Sequence, residues 1–385
     1  MSKKDAKKIV LPHSKAKLDL YSSYLEKYFA ILGLAKGVTK INIYDIFCGI
    51  GQYEDGNIGS PLIAVKCVEK NNELFDKYGW DRKPVTLNIN DGAKEKIENV
   101  KALLSDVQIN NCKIEYYNLE ADEMLDLVIK DVNSFSKTER NLIFIDPYGY
   151  SNIAREKVTG LLKSGHTEIV LFLPVMQMYR FPEIAITDFE RKCYEDLRNF
   201  INDFMPTDTK SDNVFEYINS IAKVFSFNGK FYSCSHYIER DPGNYYGVFF
   251  ITNHIYGLER MLEVKWKADP SQGKGFKKKN ELKPDLFGTH LIEYDKQTQF
   301  DYLEESLLVA LKDKPNGLSN ISLYRLVVAN EFLPKHINAI IKDLRKRNRI
   351  VTCNPNREEI DFGGATYIDY DHLKRNDEKI FIKLK

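Results

Sequence analysis

Ile41-Asn42-Ile43-Tyr44-Asp45-Ile46-Phe47-Cys48-Gly49-Ile50-Gly51 reads as a strand running into a glycine turn. A turn of this kind lets a ligand come up against the backbone, where a Cβ would obstruct it, and Gly49 and Gly51 supply the room. Asp45 stands where a carboxylate can meet the ammonium of an amino-acid cofactor, with the aromatic Phe47 close by. A plain strand–helix turn would use the same glycines. The acid, the aromatic and the strand before them favour the ligand turn. The dinucleotide fingerprint GxGxxG is not met, and no P-loop lysine follows.

On either side of this stretch, apolar spacing sets a rhythm. Residues 13–33 form an amphipathic helix through Leu18, Tyr21, Tyr24, Leu25, Tyr28 and Phe29. His13, Lys15 and Lys17 stand at its start, and His13 is expected to cap it or face solvent, with a catalytic role as the alternative. Ser60-Pro61 opens a helix over 60–76, as an N-cap followed by proline at the first helical position. Strands at 85–90, 112–118, 141–146 and 168–174 alternate with helices at 92–104 and 121–133. This alternation predicts an α/β fold, a parallel Rossmann-like sheet with helices on both faces. Residues 184–228 break the pattern as a helical insertion, 245–252 return to a buried strand, and 268–289 form a loop rich in Gly, Lys and Pro.

A second group closes the fourth strand: Asn141-Leu142-Ile143-Phe144-Ile145-Asp146-Pro147-Tyr148-Gly149-Tyr150. Open α/β sheets bind ligands at the carboxyl edge, and this strand delivers Asp146, Pro147 and Tyr148 there. Asp146 and the Pro147 carbonyl can accept hydrogen bonds from an amine, and Tyr148 offers a face for stacking. Together they suit a flat, amino-bearing ring held in front of a methyl donor. An ordinary turn at a strand end is the alternative. Between the two groups, Asn90 and Asp91 end the second strand, and Asn118 and Glu120 end the third. They are candidates for ribose and adenine contacts, or else solvated loop polars.

These residues resemble a known family. Ile43 to Tyr53, then Gly59-Ser60-Pro61-Leu62, then Phe144 to Gly149 are similar to the three-Cys-motif partner (TcmP) family. The opening Leu11 to Leu18 and the stretch Phe249 to His254 extend the likeness over roughly residues 10–290. The resemblance implies a class I methyltransferase sheet and S-adenosylmethionine (SAM) as cofactor, held by Asp45, Phe47, Gly49, Gly51, Asn90, Asp91, Asn118 and Glu120. Asp146-Pro147-Tyr148 resembles the Asp-Pro-Pro-Tyr motif of amino-group methyltransferases, but the second proline is missing and Gly149 takes the tyrosine's place.

After residue 298 the pattern becomes compact, with helices at 301–312, 320–329 and 334–347 and strands near 349–353 and 365–370. That order predicts a winged-helix-like module over 299–385, following a methyltransferase domain over 1–298. Its third helix sets Lys335, His336, Lys342, Arg345, Lys346 and Arg347 around an apolar stripe.

The 385 residues carry a formal net charge of +1, so the distribution of charge says more than its total. Arg260, Lys265, Lys267, Lys274, Lys277, Lys278 and Lys279 crowd one stretch, either as a solvated loop or as a phosphate-binding one. The last four are the candidate nucleic-acid contacts. The six cysteines show no CxxC spacing, which argues against a zinc site and fits a reducing cytoplasm. No apolar run is long enough to span a membrane. The expected activity is SAM-dependent methylation of an amino nitrogen on a nucleic-acid base, in RNA or DNA, with a protein partner also conceivable. The competing expectation is a non-catalytic nucleic-acid-binding partner, or a defence-system accessory, that keeps a methyltransferase-like shell.

Overall fold

The computed structural model describes residues 9–147, 149, 153–180, 195–204, 214–269, 273, 275–276, 296–361, 363–364 and 366–385. The chain divides into two compact units. One comprises Met1–Gly257 with Lys274–Thr289, the other Leu258–Gly273 with His290–Lys385.

In the first unit, β1 (Lys40–Asp45), β2 (Val85–Asn90), β3 (Cys112–Tyr117), β4 (Glu139–Ile145) and β5 (Thr167–Leu173) run parallel. β6 (Tyr232–Asp241) and β7 (Asn244–Thr252) form a hairpin whose second strand lies antiparallel to β5. A short β8 (Gly275–Phe276) adds to β6. The order among the described residues is β3-β2-β1-β4-β5-β7-β6-β8. Five parallel strands run in the order 3-2-1-4-5, with an antiparallel seventh beside the fifth. The fold is Rossmann-like, as the alternation predicts.

Burial follows the apolar pattern. All six residues of β2 and five of the six in β1 are buried, as interior parallel strands require. Helices α1 (Pro12–Leu34), α2 (Ser60–Tyr78), α3 (Lys94–Leu103), α4 (Ala121–Ser134) and α5 (Arg155–Leu162) accompany the sheet. α1 lays Tyr21 on Phe144 of β4, with ring centres 4.2 Å apart, and Tyr24 edge-on to Phe250 of β7 at 4.9 Å. The Tyr24 hydroxyl donates to Glu168 at 2.5 Å, and Thr252 donates to the same carboxylate at 2.9 Å. The N-cap of α2 is Gly59, one residue before the expected Ser60.

Of the expected 184–228 insertion, the described parts are two helices, α7 (Glu195–Phe204) and α8 (Val214–Phe225), which follow the short α6 (Met176–Arg180). Residues 184–194 and 205–213 lie outside the described residues.

The second unit contains α9 (Ile255–Ala268) from Leu258 onward, then α10 (Lys296–Lys312), β9 (Leu318–Ser319), α11 (Asn320–Ala329), α12 (Pro334–Lys346), β10 (Ile350–Cys353), α13 (Tyr370–Arg375) and β11 (Phe381–Leu384). The three strands form an antiparallel sheet ordered β10-β11-β9. The ribbon expectation is therefore corrected. The partner of β10 is 381–384, and the segment expected as a strand near 365–370 leads into α13 instead. Asp369 ends that segment because its carboxylate caps α13, accepting the N–H of His372 at 2.9 Å.

The basic stretch is corrected in part as well. Arg260 and Lys265 stand on α9, not in a loop. Arg260 pairs with Glu259 and Glu263, and Lys265, 1% exposed, pairs with Glu331. Both charges are neutralised within the fold and are not offered to phosphate. Lys274, Lys277, Lys278 and Lys279 lie outside the described residues.

No helix among the described residues is long and apolar enough to cross a membrane.

Candidate functional site at the carboxyl edge of the sheet

The ends of β1 to β4 bring the predicted acids to one edge, as the register requires: Asp45 pairs across to Ile89 and Phe144, and Asn90 to Tyr117. Asp45 is 2% exposed, and its carboxylate oxygens are buried without a well-aligned hydrogen bond, with Ser60 and the Phe47 N–H nearby. Burial pushes its pKa up to about 7 and the Asp146 charge adds to the rise, against the pull of Ser60, the Phe47 N–H and Lys17. An uncompensated buried carboxylate is costly unless a cation completes it.

The turn after β1 is tied on both sides. The Ile46 N–H bonds the Phe144 carbonyl at 3.1 Å, and the Cys48 N–H bonds the Asn90 carbonyl at 2.9 Å. Gly49 has φ +65°, and a Cβ there would meet nothing within 4 Å, so its outer side is open. Gly51 differs. Its φ is +79°, but a Cβ would press on Val100 at 2.9 Å and Leu103 at 3.2 Å. Gly51 is needed for packing against α3, whereas Gly49 borders the open space.

The candidates after β2 and β3 divide. Asn90 is fully buried. Its amide donates to the Ile46 and Leu119 carbonyls at 3.0 and 3.1 Å, and its oxygen accepts the Leu119 N–H at 3.0 Å. It is a brace between strand ends, with both amide hydrogens committed to backbone carbonyls. Asp91 accepts the Gly49 N–H at 3.1 Å, the Ala93 N–H at 2.9 Å and the Lys96 ammonium at 3.0 Å. Asn118 grips the Asp91 and Gly92 carbonyls at 2.9 and 3.0 Å. Glu120 is exposed, with its carboxylate about 3.2 Å from where a Gly92 Cβ would sit.

Beyond β4, Asp146 pairs with Lys17. Pro147 is buried, and Tyr148 lies outside the described residues. The Lys17 ammonium also sits over the Phe172 ring of β5, 4.6 Å from its centre. Phe172 stacks on Tyr246 at 4.9 Å, and Tyr246 on His13 at 5.7 Å. Arg240, from the β6–β7 hairpin, donates to the Tyr246 hydroxyl at 2.9 Å. These are the site residues that sequence reasoning missed or left to solvent. The helix α1 has Leu11 as its N-cap, with no side-chain cap, so His13 does not cap it. Burial, with Arg240 and Lys17 nearby, depresses the His13 pKa to about 4 and keeps the ring neutral. The only early signal for Lys17 was its place at the head of a helix that packs on the sheet.

No family model matches the chain, and no curated protein matches it by sequence. Among solved structures it is similar to WbdD, at 12% identity over 62% of this chain and 40% of that one, TM-score 0.34. It is also similar to magnesium protoporphyrin IX methyltransferase from Synechocystis PCC 6803 with bound SAM, at 8% identity, 64% and 86% coverage, TM-score 0.28. A third is loganic acid methyltransferase with SAH, at 9% identity, 65% and 79% coverage, TM-score 0.32. The chain thus spans well under half the length of WbdD. Overlap this partial says nothing about what the chain acts on.

Two clefts lie elsewhere, along β3 by Ile109, Cys112, Ile114 and Tyr116, and on the sheet face by Tyr44, Asn88 and Tyr117. Neither is lined by Gly49 or Asp146. The carboxyl edge is singled out by its chemistry: a buried, weakly partnered carboxylate, an open glycine turn, and an ammonium that meets both an acid and a ring.

Proposed function

We propose that the chain is a SAM-dependent methyltransferase that acts on an amino nitrogen, with a nucleic-acid base as the acceptor. One observation carries this reading. Asp45 is buried at the end of the first strand of a class I sheet, with no well-aligned hydrogen bond and only weak help from Ser60 and the Phe47 N–H, beside a glycine turn whose outer side is open. That residue fits an amino-acid ammonium, and the edge fits the cofactor.

When bound there, SAM supplies an electrophilic methyl group on sulfur. The chain's own residues then bind and orient. Asp45 takes the ammonium. Gly49, pinned by Asp91, keeps the backbone open. Glu120 is the free carboxylate at the edge and the better candidate for a ribose or adenine contact, since Asp91 is shared with Gly49, Ala93 and Lys96. Asp146 and the Pro147 carbonyl orient the acceptor amine, and catalysis rests on that placement. A base in a duplex would first be flipped out, at about a few kcal/mol.

The nucleic-acid part draws support from the second unit. A helix, a strand, two helices, then two strands separated by α13, with the last strand central in the sheet, is an order similar to that of a winged helix and supports this reading. On α12, Lys335, Lys342 and Lys346 are exposed on one stripe, while Ile337, Ile340, Ile341 and Leu344 are buried. His336 is buried and Arg347 pairs with Glu304 and Asp343, so the basic face is narrower than expected from sequence. The TcmP likeness of residues 43–62 agrees with the cofactor edge.

The test is transfer of radiolabelled methyl from SAM onto total RNA, genomic DNA and lysate protein in parallel. Label in a nucleic acid, lost with Asp146→Ala, supports the reading. Label in protein alone moves the acceptor class, and no label anywhere from protein that binds SAM favours an adaptor.

A further inference from the structure

The Lys17 ammonium occupies a corner with two recognising walls. The Asp146 carboxylate pairs with it, and the Phe172 ring centre lies 4.6 Å from it. The two charged side chains are 13% and 22% exposed, so the corner is mostly dehydrated yet open to solvent. Behind Phe172 the ring stack runs through Tyr246 to His13, which fixes the aromatic wall. A carboxylate accepts the ammonium's hydrogen bond, and a ring face attracts its charge. That combination selects a cationic or strongly donating amine.

Asp146 stands at the end of β4, and Lys17 arrives from the first turns of α1, 129 residues away in the chain, on a flexible four-carbon arm. An arm of that kind can swing out without disturbing the helix. His13, held neutral, does not compete for the carboxylate.

We propose that Asp146 and Phe172 form a subsite for a primary amine, and that the Lys17 ammonium is its resident occupant, displaced when an acceptor enters. This deepens the methyltransferase reading and rests on it for the identity of the incoming amine as the acceptor. The subsite itself belongs to these three side chains.

The test removes the occupant and supplies a substitute. Lys17→Ala deletes the arm, and n-butylammonium chloride replaces it as a free ligand, with sodium chloride at equal ionic strength as control. The thermal midpoint of Lys17→Ala should rise saturably with n-butylammonium, while the wild-type midpoint should not. Tetramethylammonium, which cannot donate a hydrogen bond to Asp146, should be weaker. In the double variant Lys17→Ala/Asp146→Asn the response should disappear. If Lys17→Ala is poorly folded alone, recovery of its midpoint by the amine is the same measurement.

No saturable response, or an equal response in the double variant, overturns the subsite and leaves Lys17 a fixed structural partner of Asp146. Calorimetry with S-adenosylhomocysteine on the same proteins separates the two readings. Cofactor binding without an amine response defeats the subsite alone. An amine response without cofactor binding defeats the methyltransferase reading alone.

Discussion

The carboxylate of Asp91, just past β2, accepts the backbone N–H of Gly49, in the turn after β1, at 3.1 Å. The same carboxylate accepts the Ala93 N–H and the Lys96 ammonium. An acid at the second strand end thus sets the shape of the glycine turn at the first. Asp91→Ala leaves the Gly49 and Ala93 N–H groups without their acceptor and strands a half-buried lysine. Loss of about 1–3 kcal/mol in urea denaturation is expected, together with weaker S-adenosylhomocysteine binding. Unchanged stability and affinity would mean that the turn holds itself.

Two groups at the edge give opposite pH dependences. Asp45 is raised from 3.8 to about 7, so the unfolded chain ionises first and its contribution to stability is lost as pH rises across that window. His13 is lowered from 6.5 to about 4, so its contribution is lost as pH falls through that window. Asp45→Asn should therefore stabilise the ligand-free protein above pH 7 and leave the acid side steeper. His13→Phe keeps a ring against Tyr246 and should flatten the acid side. Stability against pH for the three proteins checks both signs. Cofactor binding to the wild type near neutral pH should release a proton, seen by calorimetry in buffers of different ionisation enthalpy.

Gly33 on α1 faces Phe75 on α2 so closely that a Cβ would lie 2.4 Å from the ring Cζ. Phe75 is fully buried. Gly33→Ala should cost about 1–3 kcal/mol through overpacking, despite alanine's better helix propensity. Phe75→Leu in the same chain should recover part of the loss. A neutral or stabilising Gly33→Ala in chemical denaturation would show that the two helices can slide apart freely.

Lys335, Lys342 and Lys346 on α12 should bind phosphates if the second unit recruits nucleic acid. Changing all three to alanine should weaken binding to unrelated duplexes uniformly. The slope of log K against log salt should shrink by about 0.9 for each phosphate that is no longer neutralised. Equal slopes for variant and wild type in fluorescence titrations would leave α12 a packing helix.

Most of the sheet was legible because β5 is an almost unbroken apolar run and β2 alternates Val85, Leu87 and Ile89 with small polar residues. Val85–Asn90 and Thr167–Leu173 lie within a residue of where the pattern puts them. β6 was not read as a strand, since Ser233, Ser235 and His236 break its apolar run, and the burial of Ser235 and His236 is a tertiary fact. At the site, Asp45, Gly49 and Asp146 announced themselves by standing at strand ends. Asn90 did not reveal its role, because saturation of an amide by the Ile46 and Leu119 backbone is a tertiary fact. Lys17 and His13 were hidden for a related reason: no local pattern says that the start of one helix reaches Asp146 and Tyr246. The tail's second ribbon strand was misplaced because Thr366 to Tyr370 has strand-like residues, yet Asp369 is committed to a helix cap.

The most direct measurement is calorimetric titration of the full chain with SAM, wild type beside Gly49→Asn. Asparagine tolerates the left-handed backbone at this position, so abolished binding would report a blocked site and not a broken turn. The account predicts roughly micromolar affinity for the wild type and at least about a tenfold loss in the variant, equivalent to about 1.4 kcal/mol. A folded wild type that gives no heat at millimolar SAM, or a variant that binds as tightly as the wild type, would contradict it.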